Sequence, residues 1–185
     1  MFVPMLAPNN YSLLGVHPAG LAGRLFWKGY ALGRLHALGA ALTGRQHRLQ
    51  PLALRMAGRS LRTRRHAGLQ LAPIQAIRGS ENRSDEFDIA FRPLQRRMHG
   101  RWVSVANAWL SGLVTAPVQL IQIGDDYFVR DGHHRISIAR AAGQRYIEAD
   151  VTLWELGGAL EPASRLDTIR DRLNSLRQRT PVWVF

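Results

Sequence analysis

The chain contains no cysteine, so disulfide frameworks, thiol nucleophiles and paired-cysteine zinc sites are all excluded. It is almost as poor in lysine, with Lys28 the single one among 25 cationic residues. Acidic residues are missing altogether from positions 1–80. That stretch carries Arg24, Lys28, Arg34, Arg45, Arg48, Arg55, Arg59, Arg62, Arg64, Arg65 and Arg78, whereas beyond it arginines and acids nearly balance. The formal charge of +12 therefore belongs almost wholly to the first part.

Long apolar runs are lacking too. Arg24, Lys28 and Arg34 interrupt every window long enough to span a bilayer. Pro4, Pro8 and Pro18 break the opening segment, which has no basic start of a signal peptide. These features predict a cytoplasmic protein. No G-x-x-x-x-G-K-[ST] phosphate loop and no G-x-S-x-G nucleophile turn occurs.

What is present converges on Asp131-Gly132-His133-His134-Arg135. Tyr127-Phe128-Val129 ahead of it reads as a strand of aromatic and β-branched residues. Behind it, Ile136, Ala139 and Gly143 have helical spacing. Asp131 is expected as the N-cap, and the helix start, Gly132 and Arg135 then favour an anion, most often phosphate. The plainer alternative is ordinary turn and capping chemistry with solvated histidines. Adjacent histidines on a helix point about 100° apart, which argues against a shared metal ion.

Val118–Ile123 reads as a strand covered on both faces, Gly124-Asp125-Asp126 as a hairpin turn, and Tyr146–Leu153 as a strand with one buried face. Leu94, Met98, Trp102, Val105 and Trp109 predict an amphipathic helix. Pro162 opens another, with Leu166, Ile169, Leu173 and Leu176 in heptad-like spacing that suits packing on the sheet or a homodimer contact. Leu69, Leu71, Ile74 and Ile77 predict a first strand ending at Arg78-Gly79-Ser80. These elements make an α+β fold.

The segment from Val118 to Trp154, VQLIQIGDDYFVRDGHHRISIARAAGQRYIEADVTLW, resembles the core of the ParB/sulfiredoxin superfamily, with coverage extending back to about residue 69. The resemblance implies a small mixed sheet with packed helices and a bound nucleotide (ATP, ADP or CTP). Phosphate contacts are then expected from Gly132, His133, His134 and Arg135, with Asp131 fixing the turn. Sulfiredoxin chemistry is excluded, because the catalytic cysteine of that family falls where this chain has His133. ParB proper carries a G-E-R-R-type turn and a downstream helix-turn-helix reader, and neither is found here.

Residues 79–88 form a polar stretch, expected either as a plain surface loop or as a second wall of the site. In the second case Ser80 and Arg83 bind phosphate or sugar. The free serine kinases of the superfamily use an early glutamate as base, which points to Glu81. A kinase of this type would place Mg²⁺ partners at Asp126 and Asp131. Whether the protein is an enzyme stays open between nucleotide hydrolase, phosphotransferase and a non-catalytic interaction module; His133 and His134 join Glu81 as catalytic candidates.

The expected organisation is a basic extension over 1–67, helical or partly disordered, a ParB/sulfiredoxin-like domain over 68–156, and a C-terminal helix and tail over 157–185. Arginine forks recurring through 45–65 without a competing acid predict contact with DNA or RNA backbone, with an anionic membrane surface as the second partner.

Overall fold

The computed structural model describes residues 18–113 and 115–159, so the helix expected after Pro162 lies outside the described residues. Helix α1 spans Pro18–Thr43, strand β1 Gln50–Pro51, helix α2 Leu52–Met56, strand β2 Arg59–Pro73 and strand β3 Ile77–Ser80. Helix α3 (His99–Leu110), strand β4 (Val118–Ile123), strand β5 (Asp126–Asp131), helix α4 (His133–Ala141) and strand β6 (Tyr146–Ala159) follow. The fold is α+β, with a six-stranded mixed sheet in the order β1-β3-β5-β4-β6-β2.

The centre of the sheet follows from local sequence. In β4, Val118 and Leu120 point into one core while Ile121 and Ile123 point into a second on the opposite face. In β5, Val129 joins the first core and Phe128 the second. Because both faces are covered, buried apolar residues of these strands point to both sides, while Gln119, Asp126, Arg130 and Asp131 are not buried. The β4–β5 hairpin turns at Gly124, whose φ of 62° is in the left-handed region, and Ile123 then pairs with Asp126.

The larger core lies under α3 and α4. Met98, Trp102, Ala106 and Leu110 are buried in steps of four, and the Trp102 indole N–H donates to Ser137 Oγ of α4 at 2.9 Å. Helix α1 packs on this layer through Ala22 and Phe26, both fully buried, with the Phe26 ring 5.8 Å from that of Trp102. On the other face Leu52 of α2, Phe128, Ile121, Ile123 and Trp154 form the smaller core.

Three expectations change. The boundary at residue 67/68 falls inside β2, and the preceding stretch supplies Ala22, Phe26, Leu49 and Leu52 to the two cores, so much of it is integral to the fold. Arg59–Ala67, expected as helix or disordered arm, is strand, held by antiparallel pairing of β2 with β6 from Arg59↔Ala159 to Pro73↔Tyr146. The single strand expected over 69–80 is two, β2 and β3, separated by a short 3₁₀ turn at Ile74–Ala76.

Candidate functional site

Strands β3 and β5 are parallel neighbours, and both end at the same edge, with Ser80 opposite Val129. Gly132 follows β5 with φ 97° and is the N-cap of α4. Only glycine suits it: an added Cβ would stand 2.5 Å from Val118 Cγ1, in a conformation L side chains rarely adopt. The expected cap, Asp131, is the last residue of β5 instead, and no described side chain accepts from the opening backbone amides of α4. The opening amides of a helix have no intrahelical partner. Here they are left without a side-chain cap as well.

Asp131 accepts from Arg135 Nη2 at 2.7 Å, while Arg135 Nη1 donates to the carbonyls of Ala116 and Pro117. The guanidinium thus braces the chain entering β4 against the start of α4. It is not the free anion-binding fork that the spacing suggested.

His133 turns inward. Its Nε2 is 2.7 Å from Ser80 Oγ, which accepts from the backbone N–H of Arg83 at 2.9 Å and of Asn82 at 3.3 Å. With two N–H groups already directed at Oγ, the hydroxyl proton goes to Nε2, and the ring proton of His133 sits on Nδ1. Phe87, the one apolar residue of its polar segment and fully buried, stacks on His133 at 6.0 Å and meets His134 edge-on at 5.7 Å. Residues 80–88 therefore pack beside the turn through Ser80 and Phe87, and Phe87 and Asp88 are buried.

Burial, then the Arg83 charge, lowers the His133 pKa from 6.5 to about 4. Burial, then Arg101, does the same for His134, also to about 4. His134 Nδ1 is buried without a hydrogen-bond partner. Two neutral imidazoles thus sit at an uncapped helix start, among Arg83 and Arg101 and the acids Glu86 and Asp131, with Arg83 Nη1 3.2 Å from Glu86 Oε2 and Arg135 Nη2 2.7 Å from Asp131 Oδ2. An anion placed there would accept from the uncapped amides.

The remaining expected residues do not all join this cluster. Arg83 does, both through its backbone and as a charge felt by both histidines. Glu81 pairs with Arg130 Nε at 3.1 Å, and the Arg130 guanidinium in turn lies 5.9 Å from the Trp154 ring centre, on the smaller core's face. Ser80, at the end of β3, bonds His133, whereas Glu81 just beyond it bonds Arg130, so the two diverge. Asp126 and Asp131 stand at opposite ends of β5, roughly 16 Å apart, too far to share one Mg²⁺. Asp126 is committed to Arg55 at 4.0 Å and Arg78 at 3.5 Å, and no cluster of metal-ligating residues occurs among the described residues.

The chain matches no family model, no curated protein and no solved structure.

Sequence reading missed Arg101 and Phe87 as parts of the site. Arg101 was legible only as a cation off the apolar stripe of α3, and nothing local tells which partner it faces. A second basic surface is displaced from the turn. Arg59, Arg62, Arg64 and Arg65 are exposed along the outer strand β2, with Arg64 stacked 4.5 Å over Trp154 of β6. No helix among the described residues is long and apolar enough to cross a membrane.

Proposed function

We propose that this is a ParB-like nucleotide-binding protein, in which the first turn of α4 receives a phosphate group and the β2/β6 ribbon lies on nucleic-acid backbone. The observation that carries the reading is the uncapped start of α4 beside the buried, unpartnered Nδ1 of His134. An oxyanion accepts from just such donors, and Arg101 supplies countercharge, together with Arg83, which is shared with Glu86. Ser80 and His133 hold the 80–83 wall against the turn, and Gly132 lets the backbone come close to a ligand. The order of β5, glycine turn and α4, with β3 parallel beside β5, supports a ParB/sulfiredoxin-like arrangement. An edge ribbon with arginines and no acid on β2 suits phosphate contacts that are insensitive to base sequence.

Titration calorimetry with ATP, ADP and CTP tests the site. Wild type is expected to bind at least one of them, and His134→Ala and Arg83→Ala are expected to weaken that binding. Absence of heat with all three nucleotides refutes the reading.

A further inference from the structure

A second concave site lies at the far end of α4. It is a cavity of about 350 Å³ between α1, the chain at 90–93 and the last turn of α4. Its lining on α4 runs from Ser137 to Ala141, about 6 to 12 Å along the axis from His133. Its volume falls in the range that holds small organic ligands.

The walls are of two kinds. Leu25, Leu32, Phe91 and Trp102 give it apolar surface. Lys28, Arg92 and Arg140 bring three cations to the same space, and among its described lining residues there is no carboxylate. Asp88 is the one acid paired with this group. It is 1% exposed, and its Oδ1 already accepts from the backbone N–H of Ala90 at 2.9 Å and of Arg92 at 2.8 Å.

Arg92 is incompletely satisfied. Its Nη1 is 3.5 Å from Asp88 Oδ2, and both atoms are buried without a hydrogen-bond partner. An unmade hydrogen bond at a buried cation is costly. Arg140 donates to the Ile89 carbonyl at 2.9 Å, which satisfies one of its five N–H groups and brings no negative charge.

The backbone here is held in an unusual shape. Phe91 has φ 57°, the one described non-glycine residue at positive φ, and its ring is 1% exposed. The Asp88 carboxylate and carbonyl fix this conformation, the carbonyl accepting from Phe91 N–H at 2.8 Å. Such a conformation is disfavoured for an L side chain and persists where surrounding structure imposes it, often at ligand sites.

We infer that this cavity binds a small amphipathic anion, an apolar body carrying one carboxylate or sulfonate group that meets Arg92, Arg140 and Lys28. The apolar body packs on Leu25, Leu32, Phe91 and Trp102. This site is independent of the phosphate site at the other end of α4.

The full chain titrated with 1-anilinonaphthalene-8-sulfonate, read by dye fluorescence, provides the test. Saturable binding at one site per chain is expected. The neutral analogue without the sulfonate should bind roughly tenfold more weakly, as should the sulfonate to Arg140→Gln and to Lys28→Gln. Lys28 is exposed, so its variant keeps the fold if Arg140→Gln does not. Ala141→Trp, which places a bulky ring on a lining position, should also reduce binding. The double variant Leu35→Ser/Leu38→Ser, on the exposed side of α1, should bind as wild type does. Equal affinity for the charged and neutral dyes overturns the proposal. So does binding that survives Lys28→Gln and Ala141→Trp but disappears with the two leucines.

Discussion

At the scale of single residues, two features of the α4 turn have measurable consequences. His133 and His134 are kept neutral down to about 4 instead of the ordinary 6.5, burial being the largest cause for each. Between those values the unfolded chain takes up protons that the folded chain refuses, so falling pH favours unfolding. Stability should therefore be level, as far as these rings are concerned, above pH 6.5, and decline on the order of a few kcal/mol toward pH 4. Thermal midpoints across that window should show the decline in wild type and a shallower one in His133→Gln and His134→Gln; a wild-type profile as shallow as the variants' contradicts it. Gly132 makes the other case. Its substitution by alanine meets both the φ of 97° and a 2.5 Å approach to Val118 Cγ1, so Gly132→Ala should cost about 2–3 kcal/mol in denaturant unfolding. Val118→Ala introduced alongside it would remove the overlap but not the backbone strain, so rescue should be partial. These details were only half visible in the sequence: a glycine between a strand and a helix is conspicuous, but that it displaces Asp131 as the cap depends on β5 running one residue further.

At the scale of elements, α1 separates what packing fixes from what it leaves open. Phe26 is fully buried against α3, whereas Leu35 and Leu38 on the same helix are 64% and 61% exposed. Phe26→Ala should lose about 3–5 kcal/mol, and Leu35→Ser should change stability by less than roughly 0.5 kcal/mol, both read from chemical denaturation. For the same reason a chain beginning at residue 68 should fail to give a cooperative transition, since it lacks Ala22, Phe26, Leu49, Leu52 and half of β2. The apolar residues of α1 lie on two sides of the helix, one toward α3 and one toward solvent, and this is why no single clean face was legible. β4, β5, α4 and β6 were legible for the opposite reason. Their alternation, their turn glycines Gly124 and Gly143 and the strand-to-helix switch at Gly132 are all encoded within a few residues. β2 was not, because an outer strand rich in arginine has no buried alternation over Arg59–Ala67, and its identity comes from pairing with β6 much later in the chain. Trp154 shows the same effect: it reads as a strand residue of no special kind, yet it anchors the smaller core and carries Arg64 on its ring.

At the scale of the whole molecule, many of the described acids are engaged by cations, and exposed arginines gather on β2. The acids Glu81, Glu86, Asp88, Asp126, Asp131 and Asp150 each have a cationic or imidazole neighbour within 4.0 Å. Arg59, Arg62 and Arg65 stand exposed on β2 at one edge of the sheet, where the acid facing them across the ribbon is Glu155 of β6, paired with Thr63. Counterions condensed on a nucleic acid are released when such residues meet its phosphates, and each contact adds about 0.9 to the slope of log affinity against log salt on duplex DNA. The variant Arg59→Gln/Arg62→Gln/Arg65→Gln should therefore bind duplex DNA more weakly and with a salt slope shallower by up to about 2.7. Its thermal midpoint should hardly move, because none of the three side chains is buried. Arg64 is excluded from the set because its stacking on Trp154 would mix a packing loss with a charge loss. Nucleotide affinity at α4 should stay unchanged in this variant, as the ribbon arginines contribute no group to that turn. A salt slope equal to that of wild type would mean that the duplex is held elsewhere, and the ribbon would then be a charged edge that protects β2 from pairing with other strands.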